Sequence, residues 1–474
     1  MTAKRPLLRL KDDQLVPPEE DRRVELAVYD LLLPCRKFEI AYKVATLGQV
    51  SPSLEFFLRL IKSVPGISED AAAQFFGYVR NELAYVMEEA LEPGYVERRS
   101  GRLWLTAAGD SLFRVGETEP TIFSVEQRSS TFGFDFLSLA PQRSRALDNV
   151  ELCLPELPLT DPRGTGDLTK RIPDRFRQFF RELGEKRDRE SSQRRDLYSI
   201  DRVGAADRFQ VPVRIRVHAP ASNPTLPEVD LTAWRPDHEL SDRLAVESAA
   251  AAYVDDVIVS NNQVHAYGAY QYLVDLAPDF LREFTTRAGL SVNRYWREAV
   301  GRVGEVRKDR KTIALVGSPY LPENVERILS VLDYGLRDTE TPDNIYVIAP
   351  QIPCWAASTL QREAISIFKR KASPTPGATE DQEVRSVCFY SGKVPRYVER
   401  SFDQVHTSDS TEIAPGFELL LVPNVTVVAM VYAAIGASSG YPVPLGFASF
   451  DEEVVKRAEE FLSGRVAQYS AEGH

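Results

Sequence analysis

The stretch Gly94-Tyr95-Val96-Glu97-Arg98-Arg99-Ser100-Gly101-Arg102-Leu103-Trp104-Leu105-Thr106-Ala107-Ala108-Gly109-Asp110-Ser111-Leu112-Phe113 decides how the N-terminal part of the chain is read. Two short runs of β-forming residues, Tyr95-Val96 and Leu103-Trp104-Leu105, flank a Ser-Gly pair, which is the pattern of a hairpin. Working backwards, Ser68 with Glu69 and Asp70 opens a long helical pattern through Ala72, Phe75, Phe76, Val79, Leu83, Val86, Met87 and Ala90, closed by Pro93-Gly94. Before it, Ser51-Pro52-Ser53 reads as a cap with proline in the first turn, Leu54, Phe57, Leu58 and Ile61 form one face, and Pro65-Gly66 stops the helix. Further upstream, Val24, Leu26, Val28, Leu31 and Leu32 predict a helix ended by Pro34, and Phe38, Ala41, Val44 and Leu47 predict a second ended by Gly48.

Helices, a hairpin and then a short helix make a winged-helix order. The phrase GYVERRSGRLWLTAAGDSLF resembles the wing and following helix of bacterial winged helix-turn-helix domains, in which LTxAG closes the second wing strand. The resemblance implies a winged helix over residues 21–115, after a loose polar lead-in at 1–20 that contains Pro17-Pro18-Glu19-Glu20.

The rest of the chain reads as two further regions. Pro120, Pro141, Pro155, Pro158 and Pro162 mark a turn-rich segment, and a charged helix over 170–195 carries Ile172, Phe176, Phe179, Phe180 and Leu183. Strands are expected at 209–218 and near 229–231, and helices at 239–254 and 268–304, completing a mixed α+β middle at 116–305. From Lys311 the pattern becomes strand, helix, strand: Thr312 to Val316, Asn324 to Tyr334, Asn344 to Ile348, with later strands at 384–390 and 419–431 and a closing helix at 452–463. That spacing implies parallel strands with helices outside them. The fold class is therefore α+β and α/β in several domains, the last covering 306–474.

In its order of elements the last domain resembles the phospholipase D-like fold. TIALVGSPYL followed by a helix and IYVIAP looks like the first strand-helix-strand, and LLLVPNVTVVAMVYAAIGASSG like the later strand that follows a catalytic histidine. The resemblance implies a histidine that attacks phosphorus, a lysine two residues on that holds the phosphate charge, and a later Ser or Asn near a Gly-Ser pair. The weak candidate for the histidine is His406 in VHTSDSTEI, and position 408 is Ser. Without the ammonium the HxK motif is missing, which points to a degenerate, non-catalytic domain; a phosphodiesterase or nuclease using His406 is the alternative. Asn424 and Gly436 to Gly440 could mimic the remaining motif, but Gly-Ser loops after strands are common connectors and that reading is preferred.

Composition excludes several classes. With 474 residues, 43% hydrophobic and 27% charged, the chain is globular rather than disordered, collagenous or a disulfide mini-scaffold. The apolar window 417–437 contains Pro423 and Asn424 and reads as a buried strand, so no membrane association is expected. Cys35, Cys153, Cys354 and Cys388 are scattered, and the five histidines show no ligand spacing, so neither a disulfide framework nor a metal site is implied and a reducing cytoplasm fits. Asp255-Asp256 is an adjacent acid pair whose side chains diverge on any regular element, hence a cap rather than a metal site. Walker, GxGxxG, HExxH and GxSxG motifs are missing from suitable contexts, and no cofactor is implied.

Net charge is −11, which argues against a chain that coats nucleic acid everywhere and leaves local basic surfaces as the signal. Arg98, Arg99 and Arg102 surround the wing turn, where they could clamp phosphates. The preceding helix offers Gln74, Arg80 and Asn81 beside Glu82, Glu88 and Glu89, a poor reader of base edges. Residues 163–216 hold 15 Lys and Arg against nine Asp and Glu. Lys186, Arg187, Arg194 and Arg195 crowd one helix end, and Arg214 and Arg216 share one face of a strand, as a phosphate-binding surface would or as a solvated face laced by pairs such as Glu185 and Arg189. The expectation is a non-catalytic, cytoplasmic DNA-binding or scaffolding subunit with a protein partner in a multi-subunit system. Architectures of this kind resemble accessory subunits of bacterial mobile-element or antiviral defence systems. A pure protein-protein adaptor working through the winged helix is the remaining alternative.

Overall fold

In the computed structural model, placement is described for residues 22–48, 51–113, 120, 122–159, 168–185, 195–232, 234, 243–260, 263–301, 304–337, 342–373, 384–409, 412–466 and 469–471. The chain combines helices with several sheets, a multidomain α+β arrangement.

The first element corrects the sequence reading. Residues expected to form two helices are a single strand, β1, Arg23–Gly48. It lies between β5, Ile122–Asp135, and β7, Arg195–Pro220, antiparallel to both. Near its start β1 is covered on both faces, and Leu26, Leu31, Leu32 and Leu33 are all buried. A strand buried on both sides needs apolar residues at every position, and such a run contains i, i+3 and i+4 matches by default. Pro34, read as a helix stop, sits one residue beyond the last pairing with β5, Cys35 with Asp135, where its missing N–H leaves no ladder bond unmade.

Beyond Cys35 the three strands continue as an arm. One face alternates Phe38, Ile40, Tyr42 and Val44 and is covered by α5, Leu168–Glu185, through Ile172, Phe176 and Phe180. Between the end of β1 and the start of β5 lies a module with its own core. It comprises α1 (Pro52–Ser63), β2 (Ile67–Ser68), α2 (Glu69–Phe76), α3 (Arg80–Leu91), the hairpin β3 (Val96–Arg99) and β4 (Arg102–Leu105), and α4 (Ala107–Ser111). The caps read from sequence are present: Ser51 Oγ accepts from Leu54 N at 3.1 Å and Ser68 Oγ from Ala71 N at 3.2 Å. The long helix expected after Ser68 is two, because Gly77 turns left-handed at φ 72° and ends α2.

The C-terminal sheet contains β9 (Thr312–Val316), β10 (Asn344–Ile348), β11 (Arg385–Ser391), β12 (Gln404–Ser408), β13 (Phe417–Val422), β14 (Thr426–Ala433), β15 (Val443–Ser449) and β16 (Ser470–Ala471). Their spatial order is β9-β15-β14-β13-β10-β11-β12-β16. β9 and β10 run in the same direction, as the strand-helix-strand spacing implies, but three strands intervene between them. The run expected as one strand over 419–431 is the hairpin β13–β14, turning at Pro423-Asn424.

The later part of the middle region packs into the body. Helices α6 (Arg243–Asp255), α7 (Gln263–Leu276) and α8 (Val292–Gly301) share one cluster of buried residues with the root of β1 and with the C-terminal sheet. α9 (Pro322–Gly335), α10 (Thr359–Ala372) and α11 (Glu452–Val466) also belong to that cluster.

One ion pair fastens the root of the arm to this body. Arg214 Nε and Nη2 donate to Asp30 Oδ1 and Oδ2 at 2.7 and 3.0 Å. Asp30 also accepts from Ser358 Oγ at 2.8 Å and from Thr359 N at 2.8 Å, at the start of α10. Burial pushes the Asp30 carboxyl up, but Arg214 and the Thr359 and Ser358 donors outweigh it and hold the carboxyl below its ordinary value of 3.8. Arg214→Ala strands a carboxylate that is 4% exposed, and is expected to cost about 3 kcal/mol in urea unfolding at pH 7. A depressed carboxyl stabilises above its unfolded pKa and loses that contribution as the pH falls through its folded one. The acid limb of wild-type stability attributable to Asp30 therefore lies below about pH 4, and the variant lacks it.

Candidate functional site

The wing is built by its turn. Ser100 at φ 47° and Gly101 at φ 75° place two consecutive residues in the left-handed region, which a tight two-residue hairpin demands. Thr106 anchors the far end, donating to Gly94 O at 2.6 Å and capping α4 by accepting from Gly109 N at 3.0 Å. The tip sets Arg99 opposite Arg102 on one face, with Arg98, opposite the buried Leu103, on the other. Arg98 donates to Glu69 at 3.0 Å, Arg99 pairs with Glu97, and Arg102 Nη1 donates to Gly66 O at 3.2 Å. The side chains of Arg98 and Arg99 are 52% and 69% exposed, so these are surface pairs, worth at most about 1 kcal/mol and exchangeable for a phosphate.

The second basic group is described only in part. Lys186, Arg187 and Arg194, with Arg189, lie outside the described residues, and of Arg195 only the backbone, at the start of β7, is described. Arg214 and Arg216 do share a face of β7, but the Arg214 guanidinium is committed to Asp30, and that residue leaves the candidate surface for a structural reason. Arg216 is half exposed and lies 3.6 Å from Glu25.

His406 lies on β12, paired with Phe389 on one side and Ala471 on the other, its ring stacked on Phe389 at 5.6 Å. Among the described residues it makes no hydrogen bond or ion pair, and Ser408 two residues on is buried. The rest of the expected motif lies elsewhere. Asn424 occupies the β13–β14 turn at φ 58°, its N–H donating to Glu459 Oε1 at 2.6 Å, whereas Gly436 to Gly440 follow the opposite end of β14. β12 and β14 are also four strand steps apart, roughly 19 Å at the usual spacing. Asp255 and Asp256 are both exposed, and no cluster among the described residues has the make-up of a metal site.

The sequence reading missed Glu418. It begins the apolar run Phe417-Glu418-Leu419-Leu420-Leu421-Val422 and is 1% exposed. Tyr320, from the turn after β9, donates to its Oε1 at 2.6 Å, and Tyr432, from the end of β14, donates to its Oε2. A single acid inside a strand that is otherwise wholly apolar was the available signal, because a carboxyl there must be met by buried donors.

No protein-family model matches the chain, and no curated protein does. Among solved structures, TrmBL2, described as an archaeal chromatin protein with a novel mode of DNA binding, aligns over 88% of this chain and 93% of its own, at 7% identity and a TM-score of 0.22. A likeness at that score carries no argument about fold or binding. Among the described residues no helix is long and apolar enough to cross a membrane.

Burial pushes the Glu418 carboxyl up to about 7, even though Tyr320, Tyr432 and Trp355 act to lower it. The folded state therefore holds a proton that the unfolded chain releases near its ordinary value of 4.5. Stability is expected to fall by about 3 kcal/mol as the pH rises from 4.5 to 7 and to level off above that. Glu418→Gln should flatten this slope, as read from urea unfolding at pH 5, 6, 7 and 8.

Proposed function

We propose that the chain is a non-catalytic nucleic-acid-contacting or scaffolding protein. In this reading residues 51–113 act as a winged helix that grips duplex phosphates through Arg98, Arg99 and Arg102. The observation that carries it is the wing itself: three arginines flanking a left-handed two-residue turn, two of them more than half exposed and paired with the carboxylates of Glu69 and Glu97. Phosphate contact of this kind positions a protein on a duplex without reading its sequence. The outward face of α3, with exposed Asn81, Glu82, Tyr85, Glu88 and Glu92, fits such a division of labour, since its acids repel the backbone a recognition helix would approach.

The C-terminal domain is read as phospholipase D-like and without turnover, with no cofactor. Its strand-helix-strand start supports the likeness, and Ser408, where the motif asks for lysine, supports the loss of chemistry. In the same reading the chain works in the cytoplasm with a protein partner, as an accessory subunit of a bacterial antiviral defence system.

A second reading has an observation of its own. Phe75, Val79 and Tyr85 are 68%, 63% and 62% exposed on α2 and α3 beside the acidic residues, which favours a module that docks onto protein.

Duplex binding measured by fluorescence anisotropy between 50 and 200 mM salt separates the two. The triple variant Arg98→Ala, Arg99→Ala, Arg102→Ala is expected to bind at least tenfold more weakly and to reduce the slope of log K against log salt by about 3. His406→Ala should leave binding unchanged and reveal no lost phosphodiesterase activity. No duplex binding by the wild-type protein at 50 mM salt would overturn the nucleic-acid reading in favour of protein docking.

A further inference from the structure

α5 lies along the arm, and its two sides have opposite characters. Leu168, Ile172, Phe176, Phe179 and Phe180 are buried, with the rings of Phe176 and Phe180 centred 5.1 and 5.9 Å from that of Tyr42 on β1. A helix committed on that side is free to carry any polar residues on the other. Here the choice is one-sided. From Leu168 to Arg181 the polar side holds Lys170, Arg171, Arg175, Arg177 and Arg181 and a single acid, Asp174. In a chain of net charge −11 such a run is a local reversal of sign.

Helical spacing orders these cations. Lys170, Arg177 and Arg181 stand at i, i+7 and i+11, on one stripe about 17 Å long, and Arg171 and Arg175 lie beside it. The pairs made by the exposed arginines are surface pairs. Arg177 Nη1 donates to Asp174 Oδ1 at 2.7 Å, Arg181 lies 3.6 Å from Asp196, and the two arginine side chains are 59% and 71% exposed. Salt and water screen pairs in that setting, and a phosphate can take the place of either carboxylate.

The helix also runs toward the module that carries the wing. Phe176 packs on Phe132, which pairs with Phe38, whereas Arg181 meets Asp196, which pairs with Ala45, close to the end of β1 at Gly48. The opposite face of the arm mixes its signs, with Lys37 and Lys43 beside Glu39 and Asp201, and Lys43 lies 3.7 Å from Asp201. Length then names the partner. A folded module of the size of residues 51–113 is roughly 27 Å across. A polyanion that meets both wing and stripe is therefore at least about 40 Å long, a dozen base pairs of duplex. We propose that the basic side of α5 is a second phosphate-contacting surface, and that a duplex held at Arg98, Arg99 and Arg102 continues over it along the arm. The inference rests on the wing reading and adds to it a partner longer than one helical turn.

The full chain is titrated into labelled duplexes of 10 and 30 base pairs, about 34 and 100 Å long, and anisotropy is followed between 50 and 200 mM salt. Arg171→Gln, Arg177→Gln and Arg181→Gln are combined in one variant, and because all three side chains are exposed its melting temperature is expected to match wild type. For the wild-type protein the slope of log K against log salt should be steeper by about 3 on the longer duplex. The glutamine variant should bring the longer duplex to the slope of the shorter one, with at least tenfold weaker binding. Arg171→Lys, Arg177→Lys and Arg181→Lys together keep the charges and should retain most of the wild-type affinity, since a phosphate is also held by a point charge. The proposal is overturned by a glutamine variant that binds 30 base pairs as wild type does, or by a lysine variant that binds no better than the glutamine one. Should the glutamine variant melt early, Arg181→Gln alone, with an expected slope change of about 1, decides the same question. Wild-type protein that binds neither duplex at 50 mM salt removes the wing reading and this inference together. Binding that weakens in the wing variant and is untouched in the helix variant removes this inference alone.

Discussion

The carboxylate of Asp30 sits where two parts of the molecule meet, and the rest of the structure depends on how it is satisfied. β1 has to be long enough to belong both to the body and to the arm, and a strand of that length gains from its ladder only if its root is fixed. The fixing is polar. Asp30 takes both nitrogens of the Arg214 fork from the neighbouring strand and the Ser358 and Thr359 donors from the first turn of α10. Backbone bonds close the same seam, Asp30 N to Ala357 O at 2.9 Å and Ser318 N to Leu26 O at 2.8 Å. Next to the second of these, Gly317 holds φ at 81° with the Glu25 carbonyl where a Cβ would be, so the close approach of β1 to the turn after β9 requires glycine.

What could be read from the sequence follows from how local each signal is. Caps are local, and Ser51 and Ser68 both cap as their spacing implies. The wing turn is local, and so are β9 and β10, whose boundaries match the apolar runs Thr312 to Val316 and Asn344 to Ile348. β1 was illegible because its character comes from β5 and β7, which begin more than 70 residues further on at Ile122 and Arg195. The split between α2 and α3 was legible in principle at Gly77, but the apolar period continues across it through Phe75, Phe76 and Val79. The β13–β14 hairpin shows a related failure: Pro423-Asn424 is a turn signal, yet apolar residues on both sides merge into one run.

The candidate sites divide in the same way. The wing arginines are neighbours in sequence and remain neighbours in space. Arg214 and Arg216 were placed on one strand face correctly, but a partner 184 residues away in the chain decides what Arg214 does. Charge pattern alone does not separate a guanidinium that awaits a phosphate from one that already holds a carboxylate. His406, Asn424 and Gly436 to Gly440 fit a motif by order along the chain, and the sheet order then sends them to different strands and opposite ends.

Glu418 and Gln361 extend that reasoning into the interior. Both are polar residues where local logic asks for an apolar one, Glu418 within a buried strand and Gln361 on the inward face of α10, and each is a cost unless something repays it. For Glu418 the return is visible, in the Tyr320 and Tyr432 hydroxyls that bring the turn after β9 and the end of β14 onto one carboxyl. For Gln361 the group it meets is the Tyr320 side chain, which it acts on from α10. Tyr320 and Gln361 line one space with Ala27 to Tyr29 at the root of β1, so this buried polar cluster and the Asp30 pair that fixes β1 act on the same part of the fold.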